Sequence, residues 1–196
     1  IEDLGIYRAI PKMTVIHPCD DISAEELTVQ LLSLDGPSYM RTVRNKTPRA
    51  YDEESVSKIK IGKGSVLSHG SDLAIVACGV MVHEAMNAAE VLSQKGVDCT
   101  VVDMHTIKPF DSQLMENIAK TCGCIVTAED HSIIGGLGSS ISEWAASNHP
   151  IPIEMVGVND RFGESGGSSE LMEELGLTSE SIIQASLRAI KRKNTV

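Results

Sequence analysis

The sequence predicts a three-layer α/β/α unit on a five-stranded, mostly parallel sheet whose first strand is antiparallel, preceded by a shorter, partial α/β segment. Three observations carry this prediction. From Leu73 onward, apolar runs alternate with stretches of helical period, the signature of βαβ units. The runs LAIVAC (73–78) and CTVVDM (99–104) are almost continuously apolar, as strands covered by helices on both faces must be. Only Gly70, Ser71 and Asp72 separate Ser65–His69 from Leu73, too little chain for a parallel crossover, so the first strand of this unit runs against the next.

Taken in order, Glu2–Ile10 reads as a short helix, Met13–His17 as a strand and Ser23–Leu34 as a helix, with Ser23 and Glu26 spaced as a capping box. Gly36 and Pro37 turn the chain into an extended run, Ser38–Val43. Between Asn45 and Gly64 the chain is polar, contains Pro48 and offers few apolar anchors, so residues 47–63 read as a linker between segment 1–46 and segment 64–196. Strands at Leu73–Cys78, Val97–Asp103 and Cys124–Glu129 then alternate with helices ending near Lys95 and starting after Asp111. Met and Ala at helical spacing in MVHEAMNAAEVL make the first of these helices a core or subunit-packing element. Ile153–Val158 supplies the fifth strand. Thr178–Lys193 is a final helix with Ile182, Ile183, Ser186, Leu187 and Ile190 on its apolar stripe.

Composition narrows the function classes. A chain of 196 residues buries a core without cross-links. Its net charge of -10 argues against a nucleic-acid partner, which demands a surplus of clustered Lys and Arg. The basic cluster Arg188, Lys191, Arg192 and Lys193 closes a helical pattern, where cations complement the helix dipole. Five cysteines, odd in number and set mostly in apolar runs, read as reduced thiols and place the protein in the cytoplasm. Cys122 and Cys124 flank one glycine, which is not a metal-site spacing. No apolar run approaches the roughly 20 residues that cross a bilayer.

The most conspicuous candidate site is CIVTAEDHSIIGGLGS (124–139), where Glu129, Asp130 and His131 end a strand before a glycine-rich turn. Ionisable groups at a strand's carboxyl end are where open α/β sheets hold ligands, and a helix start can hold an anion. The competing reading is a close-packed strand-to-helix joint, with the three ionisable residues at a solvated edge. GGLG lacks the spacing and downstream acid of a dinucleotide fingerprint. His17 and Asp20 bracket a strand end without a nucleophile nearby, and His69, His83, His105 and His149 suit packing or surface roles. DRFGESGG (160–167) reads as a connector capping the next helix through Ser168 or Ser169.

Several segments together resemble the transketolase group of thiamine-diphosphate enzymes: IEDLGIYRAIPKMTVIHPCD and DGPSYMRTVR, then GSDLAIVACGVMVHEAMNAAEVL, VVDMHTIKPFD, VTAEDHSIIGGLGS and DRFGESG. Their order and spacing carry the likeness across essentially the whole chain. The first two are similar to the end of the pyrimidine-binding domain and the rest to the C-terminal domain. The EDH triplet and TIKPFD look more like transketolase than deoxyxylulose-phosphate synthase or a 2-oxo-acid dehydrogenase beta subunit. FGESG resembles the split, small-subunit form.

The resemblance implies a parent enzyme of carbohydrate metabolism, of the pentose-phosphate type, that moves a two-carbon ketol unit between sugar phosphates. It would use thiamine diphosphate and a divalent metal, Mg or Ca. Ile1 matches a point just downstream of the family's DGPTHQP segment, and the catalytic glutamate, pyrimidine-facing aromatics and GDG diphosphate motif have no counterpart here. The expectation is therefore a fragment without catalytic, cofactor-binding or metal residues of its own. It would depend on an N-terminal part or a separate N-terminal subunit, within a homodimer. Arg44 matches the family arginine that grips the substrate phosphate, a task suited to a planar, permanently charged fork. Arg41 is the second candidate; on an alternating strand it would face away from Arg44 and could pair with Asp35 or Asp20. The alternatives are a fragment of deoxyxylulose-phosphate synthase or of a 2-oxo-acid dehydrogenase beta subunit, or a free-standing anion-binding regulatory α/β module using the 129–138 region.

Overall fold

The computed structural model describes residues 1–195. In chain order the elements are α1 (Asp3–Ala9), β1 (Thr14–Ile16), α2 (Asp21–Leu31), β2 (Ser38–Met40), a 3-10 turn (Val56–Lys58), β3 (Ser65–Ser68), β4 (Leu73–Ala77), α3 (Met81–Gln94), β5 (Cys99–Asp103), β6 (Thr106–Lys108), α4 (Ser112–Cys122), β7 (Ile125–Ser132), α5 (Leu137–Asn148), β8 (Ile153–Val158), α6 (Ser168–Glu174) and α7 (Ser179–Lys193).

Five strands form the main sheet in the order β3-β5-β4-β7-β8. β4, β5, β7 and β8 are parallel, and β3 runs antiparallel on the β5 edge, as its short connection to β4 requires. Alternate residues of the central strands face opposite layers. Leu73, Ile75 and Ala77 pack under Met81, Ala85 and Leu92 of α3 and Ile182, Ala185 and Ala189 of α7. Ala74 and Val76 meet Met115, Ile118 and Ala119 of α4 and Leu137, Ile141 and Trp144 of α5. Every β4 residue is buried; each large aliphatic side chain so covered contributes roughly 1.5–3 kcal/mol relative to exposure.

A second, three-stranded sheet has the order β2-β1-β6, with β1 parallel to β2 and antiparallel to β6. A strand from residues 106–108 thus completes a sheet begun by residues 14–16. The periodicity does not reveal β6, because a strand of three residues has no period to read.

Several boundaries differ from the sequence expectation. α2 begins at Asp21 because Asp20, not Ser23, is its N-cap, with Ser23 in the reciprocal position of the capping box. β2 stops at Met40, so strand alternation does not set the directions of Arg41 and Arg44. Within 47–63, Tyr51 and Ile59 are buried in the main core, so this polar stretch has firmer anchors than its composition suggests. α6 is capped by neither Ser168 nor Ser169: Gly167 occupies the N-cap. On α7 the buried face centres on Ile182, Ala185, Ser186 and Ala189, and Leu187 is exposed. No helix among the described residues is long and apolar enough to cross a membrane.

Candidate functional site

β7 extends through the Glu129-Asp130-His131 triplet, because the chain rejoins β8 at Ser132 after a register shift. The triplet is therefore inside the fold rather than at a solvated edge: Glu129 and His131 are fully buried, and the Asp130 side chain is 12% exposed.

Each member has its own partner. Glu129 accepts the N–H groups of Leu137 at 2.7 Å and Gly138 at 2.8 Å, placing a carboxylate at the electropositive start of α5. Those amides are what a bound anion would need, and they are already taken. A Cβ on Gly136 would lie 1.9 Å from Glu129 Oε2, which accounts for a glycine in the turn. The His131 ring accepts the Gly5 N–H at Nε2 (3.2 Å), so its hydrogen sits on Nδ1, 2.6 Å from the Ser132 carbonyl.

Asp130 reaches the other segment. Its Oδ1 is 2.8 Å from Nε2 of the fully buried His17, and Oδ2 accepts from Arg41 Nη2 at 3.0 Å. His17 Nδ1 lies 3.0 Å from the Arg41 carbonyl. Both partners of His17 are acceptors, so the ring donates twice and is an imidazolium. Burial alone would raise the Asp130 carboxyl, but the His17 and Arg41 charges hold it down at about 2. Gly79, at φ +57, leaves room for His17, whose Nε2 is 1.9 Å from where a Cβ would be. Arg41 also lies 3.7 Å from Asp3, which accepts from Tyr39 Oη at 2.8 Å. Arg41 pairs with Asp130 and Asp3, not with the anticipated Asp35 or Asp20.

Arg44 is exposed and enters no ion pair among the described residues. It lines a cleft of about 410 Å³ with Lys46, Arg49, Thr42 and the start of α2 at Asp20 and Asp21. Arg49 is tied to Asp21 through Nε at 2.9 Å and Nη2 at 2.6 Å. The four hydrogen bonds to the Asp20 carboxylate come from Ser23, Ala50 and Tyr51. Both carboxylates are thus spent, and Arg44 and Lys46 remain as free cations. Arg44 also borders a second cleft of about 540 Å³, floored by Leu171, Met172 and Leu175 and flanked by Arg41 and Asp130.

Beneath the first cleft, Asp103 is fully buried. Its Oδ2 accepts from Tyr51 Oη at 2.7 Å and Cys19 Sγ at 3.4 Å, while Oδ1 has no partner. Burial dominates and pushes the carboxyl up to about 7. Sequence reasoning missed Asp103, Tyr51, Lys46 and Arg49. Only Asp20 left a readable signal, the Asp-x-x-Ser spacing of an N-cap.

His105 is buried and His69 exposed, and neither joins these clusters. The aromatic residues do not fit a cofactor ring. Tyr7 and Tyr39 stack on each other at 3.9 Å, Phe110 tilts against Trp144, Tyr51 is buried on Asp103, and Phe162 stands alone in solvent. Glu129, the fully buried glutamate, is committed to α5.

A sequence model of the family described as "Transketolase, C-terminal domain" matches residues 62–182. The chain is 42% identical over 194 residues to the 6-deoxy-6-sulfo-D-fructose transketolase subunit SqwH of Clostridium sp. (strain MSTE9), covering 99% of this chain and 60% of that protein. It is 40% identical to the putative transketolase C-terminal section of Methanocaldococcus jannaschii, covering 98% of this chain and again 60% of that protein. A solved structure titled "Split gene transketolase, inactive beta4 tetramer" superposes with a TM-score of 0.94 at 39% identity, over 98% of this chain and 63% of that one. The chain thus spans about 60% of the length of the curated relatives it matches. With a family match over most of its length and the predicted five-stranded sheet in place, the chain belongs to the transketolase C-terminal domain family.

Proposed function

We propose that this chain is the C-terminal part of a split transketolase that transfers a two-carbon ketol unit between sugar phosphates. On this reading residues 1–46 close the pyrimidine-binding domain, 47–63 connect, and 64–196 form the C-terminal domain. Thiamine diphosphate, with Mg or Ca, supplies the carbanion chemistry in the intact cytoplasmic enzyme. It is held by parts of the protein outside this chain, since the aromatics and Glu129 here are otherwise engaged. A separate N-terminal subunit is the natural partner, and homodimerisation of the parent completes the assembly.

Within that enzyme, Arg44 binds the terminal anionic group of the substrate. The observation that carries this reading is the cleft in which Arg44 and Lys46 are the cations left unpaired. A guanidinium there offers two parallel N–H donors to a tetrahedral oxyanion. Arg41 holds the segment against Asp130 rather than meeting the anion directly. The terminal group need not be phosphate alone: one relative is named for a sulfonated sugar, and sulfonate presents the same tetrahedral oxygens.

The test is reconstitution. The polypeptide carrying this chain, mixed with its N-terminal section, thiamine diphosphate and Mg, is expected to transfer ketol units, whereas the 196-residue chain with cofactor alone is expected to show none. Turnover by the isolated chain would overturn the reading.

A further inference from the structure

The segment that carries Arg44 has no regular structure between Arg41 and Ala50. Its upstream end is fixed where the Arg41 N–H meets the Ile16 carbonyl at 2.9 Å. Downstream, Thr47 Oγ1 donates to the Cys19 carbonyl at 2.9 Å, and the Ala50 and Tyr51 N–H groups meet Asp20 Oδ2 at 2.8 and 3.0 Å. Among the described residues, 42–46 make no hydrogen bond of their own. Arg44 therefore sits on an arc whose position is set by its two ends.

Asp20 governs the downstream end. It is 5% exposed, and its two oxygens serve different elements. Oδ1 takes the Ser23 N–H at 2.8 Å and Ser23 Oγ at 2.7 Å, fixing the start of α2, while Oδ2 holds the 50–51 backbone. One carboxylate thus sets the distance between the two walls of the Arg44 cleft. We infer that Asp20 is a positioning residue for substrate anion binding: it fixes the arc so that the Arg44 fork faces the cleft. The inference rests on the reading of Arg44 as the anion ligand.

Charge and position make opposite demands here. Removing a negative charge beside an anion site should by itself tighten anion binding. Losing the anchor should weaken it, since small misplacements of a binding group are costly. Asp20→Asn separates the two effects. Its amide oxygen can still accept from Ser23, whereas its NH2 group cannot accept the 50–51 amides.

The experiment uses the assembled enzyme, with ribose 5-phosphate and free ribose as alternative acceptors. For Asp20→Asn, the KM for ribose 5-phosphate is expected to rise about tenfold, the scale of a lost charge-assisted bond, while the KM for free ribose stays unchanged. Amide hydrogen exchange should show faster exchange at Ala50 and Tyr51. An unchanged or lowered KM for ribose 5-phosphate, or an equal rise for both acceptors, overturns the inference. If the variant does not fold, Thr47→Val loosens the same arc without touching a buried charge. It is expected to raise the same KM about threefold, as loss of a neutral hydrogen bond does, and no change there also overturns the inference. Arg44→Ala is the control: if it leaves the ribose 5-phosphate KM unaltered, the anion-ligand reading itself fails, and the positioning role fails with it.

Discussion

His17 and Asp130, one from segment 1–46 and one from β7, meet at 2.8 Å as a buried ion pair, and Arg41 closes the triad from the far side of the carboxylate. The carboxylate meets two cations and the His17 ring two acceptors, as a pair removed from water requires, while Arg41 Nη1 stays buried without a hydrogen-bond partner.

Breaking it should be costly. Asp130→Ala leaves the fully buried imidazolium without an anion and the mostly buried guanidinium with only Asp3 at 3.7 Å, and is expected to destabilise the protein by about 3–5 kcal/mol in urea unfolding. Glu143→Ala removes a more exposed pair with Arg8 and should cost no more than about 1 kcal/mol. Equal losses in the two variants would show that the triad is not special.

The pH dependence of that triad has a definite sign. Asp130 is held at about 2 in the fold against an ordinary 3.8, so the unfolded chain takes up a proton first as pH falls. Its stabilising contribution is fully present above the unfolded value and is lost as pH drops from the ordinary carboxylate range toward 2. Thermal melts across this range should show a smaller slope for Asp130→Asn than for the parent.

Asp103 behaves in the opposite sense. Burial raises it to about 7, so the folded state keeps a proton that the unfolded state has released, and stability falls as pH rises from near 4 to 7. Asp103→Asn carries no charge and still accepts from Tyr51. It is expected to melt above the parent at pH 8, with the advantage shrinking on acidification; a constant difference across pH would count against an ionising Asp103.

The glycine turn gives a coupling test. Gly136→Ala drives a methyl group into Glu129, and overpacking of this kind costs about 1–3 kcal/mol. The penalty should shrink when Glu129 is first shortened to Ala, an interaction that a double-mutant cycle measures. Additive losses would place the clash elsewhere.

Arg44→Lys keeps the charge at the cleft but removes the planar fork. A KM for sugar phosphate about tenfold higher than the parent's is the expected outcome in the assembled enzyme. Full rescue by lysine would mean that only a point charge is needed.

The layers were legible because they rest on long patterns: the continuous apolar strands, the amphipathic α7 and the short loop that reverses β3. The triplet's location was also legible, but not its burial. Nothing in EDH reports that Asp130 meets a histidine 113 positions away or that Glu129 turns back on its own helix. Those partners are made by the packing of the two sheets against each other and of β7 against α5, which local period does not encode. For the same reason Asp103 is hidden inside an apolar run, and Arg41 has acids near it in sequence while its real partner belongs to the other sheet.

The pairing of β6 with β1 has a consequence for how the chain would respond to being cut. A nick in 47–63 severs the covalent path but leaves strand 106–108 stitched to strand 14–16, with Asp130 gripping His17 beside it. The two pieces should stay together through gel filtration and part only when unfolded: the joint is a splice, not a hinge.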